Sequence, residues 1–247
     1  MSTEKTDAIV IRQADWSETS RVVTFFTHDH GKIAALAKGA KRLKGPFEAA
    51  IDLLVACRIV FIRKSSSSLD ILTEAQLIER FQPNAANLLG LYGGYYIAEL
   101  LDGLTEPYDP HPTLYKEAAF LLNRLSTESD SRLTVLRFEL TTLREIGQLP
   151  SFEQCIACGR TSLTEQQFAF WVSQGGLLCP SCRRPEYQSN RIQAGTVAIL
   201  RQLVSGNTVW ERLTLSPQQF KEIRQVTTSA ISAALGRRPK TLRYLKF

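Results

Sequence analysis

At 247 residues and 44% hydrophobic, the chain can bury an ordinary core and suits two modest domains or one domain carrying an inserted module, which excludes a disordered or fibrous protein. Its longest apolar runs are interrupted by charge, as Asp52 and Arg58 interrupt residues 51–62. Its start, Met1-Ser-Thr-Glu-Lys-Thr-Asp7, lacks a signal-like apolar stretch, so the expectation is a protein that neither spans a membrane nor is exported. The net charge of +6 is uneven, with +2, −5, 0 and +9 on residues 1–80, 81–154, 155–182 and 183–247, and such concentration of positive charge is what a polyanion partner requires.

Residues 7–12, 20–27, 32–38, 51–62 and 69–78 are short alternating or continuous apolar runs rich in Val, Ile and Phe. Turn chemistry bounds them: Asp29-His30-Gly31 gives a hairpin between the second and third, Lys44-Gly45-Pro46 follows the third, and four serines, 65–68, separate the last two. Five strands at this spacing predict a five-stranded Greek-key barrel of the OB type, an architecture that binds single-stranded nucleic acid across its open face.

This region is also the first basic one. Residues 32–64 hold eight cations and only two acids, Glu48 and Asp52. Their centre, Lys38-Gly-Ala-Lys41-Arg42-Leu-Lys44-Gly45, reads as a glycine-punctuated loop able to follow a phosphate backbone. The candidate nucleic-acid-binding residues are Lys32, Lys38, Lys41, Arg42, Lys44, Arg63 and Lys64. Phe25, Phe26, Phe47 and Phe61 lie nearby in sequence, but aromatics in strands are more often core, so none is assigned to base stacking. His28 and His30 have the look of a ligand pair, yet in a charged hairpin before Gly31 they are expected at the surface.

Past Pro83 the period changes to that of helices. Residues 84–104, 112–125 and 131–146 read as three helices forming a bundle, the second opening on Pro112 and the third with Ser131 as cap and Gly147 as stop. Gly90, Gly93 and Gly94 weaken the first helix intrinsically, and close packing is the reason to expect them there. Residues 194–204 and 216–235 read as two more helices, the last with Ser216 as cap, Pro217 at the first position and Gly236 as stop. The chain end, 236–247, carries five cations and the apolar Leu242, Leu245 and Phe247. It either lies along nucleic acid or is pinned back by its apolar residues with the cations in water, and both readings stand.

Between these helices stand Cys155-Ile-Ala-Cys158 and Cys179-Pro-Ser-Cys182, two C-x2-C pairs separated by twenty residues, the spacing at which four thiolates close a tetrahedral shell around one zinc ion. Catalytic zinc keeps one position open for water, whereas four cysteines fill the shell, so one structural Zn2+ is expected. The general-acid Glu of a zinc deaminase, a P-loop, G-x-S-x-G and G-x-G-x-x-G are all missing from the sequence, so no catalytic residue is assigned and an enzyme is not expected. Cys57 stands alone, which argues against a disulfide framework and for a reducing cytoplasm. The fold class is therefore α+β and multi-domain: an OB-fold β-barrel (1–80), an all-α helical domain (81–150), an inserted four-cysteine zinc module (151–190) and the helical domain's C-terminal part with its basic tail (191–247).

Ser17-Glu-Thr-Ser-Arg21, Thr27 with His30-Gly31-Lys32, and Lys38-Gly39-Ala40 resemble the N-terminal domain of the bacterial RecO recombination-mediator family. Leu136-Arg-Phe-Glu-Leu140, continuing through Leu143 to Gly147, Pro150 and the first cysteine pair, resembles the helix leading into that family's zinc module, and Gly175-Gly176-Leu-Leu-Cys179-Pro-Ser-Cys182 resembles its second knuckle. The resemblance implies a DNA repair and homologous recombination mediator that binds single- and double-stranded DNA, anneals complementary strands and acts with RecR to help load RecA onto DNA coated by single-strand-binding protein, in the cytoplasm at the nucleoid. Members of the family differ in whether they keep the cysteines, so zinc is read here from this sequence. From the residues alone, a non-catalytic zinc-ribbon module that binds protein or RNA is the competing reading, and it predicts no strand annealing.

Overall fold

A computed structural model describes residues 2–42, 47–64, 69–84, 86–127, 130–161, 166–185 and 189–245. Its contacts group the chain into two units, 1–131 with 241–247, and 132–240.

In the first unit, β1 (Ser2–Asp15), β2 (Arg21–Thr27), β3 (Gly31–Ala37), β4 (Ala56–Arg63) and β5 (Asp70–Glu79) close a barrel in the order β1-β2-β3-β5-β4. This is the OB-type barrel that the five runs predict. β1 is long enough to do two jobs: Ala8 to Asp15 pair with β2, Ser2 to Ile9 pair with β4, and a bulge between Val10 and Arg12 bends the strand from one neighbour to the other. Inward residues alternate as the pleat demands, so that Val10, Val23, Phe25, Ile33, Phe61 and Leu72 fill the interior. The run expected over 51–62 is shorter as a strand, because Glu48–Ile51 form a 3-10 turn that adds Phe47 and Ile51 to the same core.

Two helices belong to this unit, α1 (Leu88–Leu104) and α2 (Pro112–Thr127). Asn87 caps α1 by accepting from the Gly90 N–H at 2.8 Å. Two of the α1 glycines stand at close approaches: a Cβ on Gly90 would lie 2.6 Å from the Leu125 carbonyl oxygen of α2, and one on Gly94 would lie 2.5 Å from the Phe81 ring. The chain end returns to this unit as a 3-10 turn, Thr241–Tyr244. Leu242 and Leu245 are buried, Tyr244 stacks on Tyr92 at 5.0 Å between ring centroids, and the Thr241 N–H donates to Glu99 at 2.8 Å. Of the two readings of the tail, pinning by apolar residues holds for 241–245, while Lys246 and Phe247 lie outside the described residues.

The second unit contains α3 (Arg132–Glu145), α4 (Ala194–Val204) and α5 (Pro217–Leu235) beside a sheet of β6 (Ser151–Cys155), β8 (Gly176–Leu178), β7 (Gln167–Trp171) and β9 (Ser189–Gln193), in that order across the sheet. The three-helix bundle expected over 84–146 is thus divided, since α3 packs with α4 and α5. The buried charges of α3 explain this. Glu139 is fully buried and both of its oxygens accept from Arg224 Nη1 of α5, at 2.7 and 2.8 Å, while Arg137 and Arg144 donate to the Leu203 and Val204 carbonyls at the end of α4. Ser131 does not cap α3, because its buried hydroxyl makes no hydrogen bond. α5 carries the full signature its sequence announces: Ser216 and Gln219 form a capping box, Pro217 opens the first turn, and Gly236 closes the helix at φ 69°. Among the described residues no helix is long and apolar enough to cross a membrane.

Candidate metal centre and nucleic-acid interface

Each cysteine pair sits where a short strand ends. Cys155 is the last residue of β6 and turns through Gly159, whose N–H donates to the Cys155 carbonyl at 2.8 Å; Cys179 follows β8 and leads into the 3-10 turn Pro180–Cys182. The parallel pairing of β6 with β8 sets the two turns side by side. All four sulfurs lie within 4.8 Å of one another. Zn–S bonds of about 2.3 Å in a tetrahedron put sulfurs about 3.8 Å apart, so Cys155, Cys158, Cys179 and Cys182 fit a four-coordinate metal ion.

The charges of the thiols fit as well. Burial pushes the Cys155 thiol up, but the N–H groups of Cys179, Cys158 and Ala157 outweigh it and bring Cys155 down to about 6. Hydrogen bonds that the Cys182 thiol donates to Cys179 and Cys158 favour its protonated form and push it up to about 12. Cys155 therefore gives up its proton readily while Cys182 resists, and a bound cation would supply the charge that opposes that resistance. The apolar cluster around the cysteines is small, Cys155, Ala169, Leu178 and Cys179 with Ile156, Trp171 and Cys182 packed against it, while Phe152, Phe168, Phe170 and Leu177 are buried elsewhere in the sheet. Cys57, by contrast, is buried in the barrel and burial pushes its thiol up to about 12, which leaves it unreactive.

On the outside of the barrel the strand registers arrange side chains in rows. Ala14 pairs with Val22, Val22 with Leu36 and Leu36 with Ile71, which gives an apolar row across β1, β2, β3 and β5; Arg12, Thr24 and Ala34 form the next row. None of these seven is buried. At one end of this face the β1–β2 turn and the turn after β3 are held together. The Lys41 N–H donates to the Thr19 carbonyl at 3.1 Å, and its Nζ reaches the Ser17 carbonyl at 3.1 Å and Asp15 at 2.8 Å. Arg21 also meets Asp15, at 3.3 Å, while Lys38 and Arg42 are exposed on the same turn as Lys41.

Toward the start of β3, a cleft of about 360 Å³ is lined by Arg12, Lys32, Lys64, Asp70, Asp102 and Tyr108 among others. Lys32 is a wall of it: its Nζ donates to the Asp102 carbonyl and lies 3.9 Å from the Asp102 carboxylate, and burial lowers its pKa. The Arg63 guanidinium lies over the Tyr108 ring, 4.2 Å from its centroid. Tyr108 itself sits at φ 60°, and its hydroxyl donates to Asp70, whose other oxygen accepts the Lys64 N–H at 3.0 Å. Burial first, and then that bond, push the Tyr108 hydroxyl up to about 12.

The sequence-predicted cations thus fall into two groups, Lys38, Lys41 and Arg42 at one end of the face and Lys32, Arg63 and Lys64 near the cleft, while Lys44 lies outside the described residues. Phe25, Phe26, Phe47 and Phe61 are all buried. His28 and His30 are half-buried rather than exposed, each facing its own carboxylate, Asp29 at 2.7 Å and Glu4 at 3.9 Å, and each set edge-on to a ring, Tyr115 and Phe61 respectively. Arg12, Trp16 and Tyr108 escape the sequence reading. Trp16 alone carried a signal, as a large aromatic in the polar turn Asp15-Trp-Ser-Glu-Thr-Ser20.

A family model described as Recombination protein O N terminal matches residues 1–81, and one described as Recombination protein O C terminal matches residues 85–243. The chain is 40% identical over 199 residues to the DNA repair protein RecO of Rhodopirellula baltica, covering 80% of this chain and 74% of that one. It is 28% identical over 240 residues to the protein of the same name from Moorella thermoacetica, covering 97% and 89%. With the Myxococcus xanthus protein, again so named, it shares 28% over 239 residues, covering 97% and 95%. Since the two domain models follow one another in order along nearly the whole chain, the chain belongs to the RecO family of DNA repair proteins.

Proposed function

We propose that the protein is a DNA repair and recombination mediator that binds single- and double-stranded DNA through the outer face of its barrel, anneals complementary strands and, with RecR, helps load RecA onto DNA coated by single-strand-binding protein. The observation that carries this reading is the pairing of a half-exposed apolar row on β1, β2, β3 and β5 with cations beyond it, in a chain of the RecO family. In OB folds this face and the loops flanking it take oligonucleotides. Lys38, Lys41, Arg42, Arg63 and Lys64 are the phosphate contacts, joined by Lys44; Lys32 adds positive potential inside the cleft while its ammonium faces Asp102.

Annealing asks for no catalytic side chain. Cations that hold two strands close screen their repulsion, and base pairing supplies the specificity. The protein therefore acts without turnover, in the cytoplasm at the nucleoid, and the cysteine cluster holds one zinc ion whose filled shell serves the fold.

The test is annealing of complementary strands, bare and coated with single-strand-binding protein, with and without RecR. Acceleration of annealing is the expected result. Tight binding of RNA or of a protein partner with no acceleration on either substrate would replace this reading with a zinc-ribbon interaction module.

A further inference from the structure

We propose that Trp16 is a base-stacking residue: a nucleobase of a single strand lies on its indole beside the apolar row, with the phosphates turned outward to Lys38, Lys41 and Arg42. The proposal rests on the reading of the barrel face as a DNA-binding surface and adds the orientation of the strand on it.

Four observations meet at this side chain. Trp16 is 62% exposed, more than any other large hydrophobic side chain among the described residues. An indole left in water forgoes about 2–3 kcal/mol of burial, and a tight turn of small polar residues has no structural need of one. Its base is fixed in place. The Trp16 and Ser17 N–H groups both donate to the Ser20 carbonyl, at 3.1 and 3.2 Å, the Ser20 N–H donates to Ser17 Oγ at 3.2 Å, and Lys41 bolts the turn to the next loop through Thr19 and Ser17. A ring carried on such a turn loses little freedom when a ligand covers it.

Trp16 also follows Ala14 by two residues, the period at which side chains along a strand share a face, and Ala14 begins the row that continues through Val22, Leu36 and Ile71. With neighbouring strands about 4.8 Å apart, that row runs roughly 14 Å across the barrel. It is half-exposed, apolar and built from side chains too small to block an approaching base. The cations stand beside it and not on it, since Lys38, Lys41 and Arg42 occupy the turn after β3 and Arg21 opens β2. Apolar floor and aromatic on one side, cations on the other, is the arrangement that receives an unpaired strand. A duplex keeps its base faces stacked inside and offers only phosphate to such a surface.

The experiment compares the full-length protein with its Trp16→Ala and Trp16→Phe variants against three labelled probes: an oligothymidylate, an abasic phosphodiester of the same length, and a duplex. Trp16→Ala is expected to weaken the oligothymidylate about tenfold, as loss of one base–aromatic stack does, and to change the abasic chain and the duplex by less than about twofold. Trp16→Phe keeps a ring and recovers most of the loss. Tryptophan emission reads the contact directly: oligothymidylate quenches the wild type, the abasic chain does not, and the quench disappears in Trp16→Phe, where Trp171 and Trp210 remain. Equal oligothymidylate affinity in Trp16→Ala and wild type, or a quench that persists in Trp16→Phe, overturns the assignment while the barrel face stands as a phosphate-binding surface. If the wild type binds none of the three probes at low salt, the underlying reading of the face fails and the assignment falls with it.

Discussion

The barrel and the cysteine module solve the same problem with different means. In the barrel, five strands close on themselves, no edge is left open, and a core that includes Phe25, Ile33, Ile59 and Phe61 is wholly removed from water. The module's strands run to five residues at most, its sheet keeps two edges, β6 and β9, and its apolar cluster includes two of the cysteines themselves. A fold of the first kind is held by its burial. The second kind has buried phenylalanines as well, Phe152, Phe168 and Phe170, and the difference teaches that it is at the knuckles, where the apolar cluster is made partly of cysteines, that a bound cation would add the cross-link that burial gives the barrel.

The strongest way to break that comparison is to remove the metal. Cys179→Ser, or exhaustive chelation, takes away a ligand set whose binding free energy is on the order of 10 kcal/mol in small zinc domains. The expected outcome is loss of bound zinc by elemental analysis and loss of the calorimetric transition of the second unit, with the barrel's transition and any DNA affinity kept. A second unit that melts normally without metal would show that its helices suffice. They do reach into the module: Arg201 of α4 donates to the Phe152 carbonyl at 2.7 and 3.0 Å, and Glu222 of α5 accepts from the Gln193 N–H at 3.0 Å and the Thr196 hydroxyl at 2.6 Å. These bonds seat both edges of the sheet on the helices, so what a metal on the four cysteines would add is to fix the knuckles between.

The matching change in the barrel is Phe61→Ala. It opens a cavity at a fully buried site and is expected to cost about 3–5 kcal/mol in the urea unfolding of the first unit, leaving the zinc content unchanged. A loss under about 1 kcal/mol would mean that the barrel refills the site and is less tightly packed than its burial implies.

How legible each region was in the sequence follows from the range of the interactions that build it. The cysteine spacing, the Ser216-Pro217 start and the Gly236 stop are local, and the cysteine cluster and α5 stand where they point. The barrel strands are legible because their alternation is set within each run. The sheet of the module is not, since Gly176 to Leu178 is three residues long and pairs in parallel with β6 and antiparallel with β7, a pattern no single run encodes. The environment of Lys32 was hidden for the same reason: its partner, Asp102, stands seventy residues away, and nothing near Lys32 announces it. Arg12 was hidden by the bulge after Val10, which resets the face on which the rest of β1 presents its side chains.

On the barrel the comparison becomes one of function, because a unit held by its own core has its loops available for binding. Replacing Lys38, Lys41, Arg42 and Lys44 with Ala is expected to lower the slope of log affinity against log salt by up to about 0.7 per lost contact on single strands, with no change in the melting of either unit. An unchanged slope would remove these residues from the DNA surface, and a fall in barrel stability would show that the loop is part of the fold.

The smallest expected effect decides what Asp15 is for. Its hydrogen bond from Lys41 holds the carboxyl below the usual range, and Arg21 adds to the effect. A lowered pKa means that the pairing is complete at neutral pH and is lost only as pH falls below about 4, so substitution is the practical probe. Two consequences of Asp15→Asn oppose one another. The change removes a negative charge from the surface proposed to take phosphates and releases two cations to them, which would favour DNA; it also removes a partner that places those cations. Placement has a second support, because Lys41 keeps its bonds to the Ser17 and Thr19 carbonyls, so the charge effect wins. Asp15→Asn is therefore expected to tighten single-strand binding about two- to threefold at low salt, with the gain fading as salt screens it. Weaker binding would reverse the assignment and make Asp15 the residue that presents Lys41 and Arg21 to the strand. The sign of this one measurement separates a carboxylate that competes with DNA from one that prepares for it.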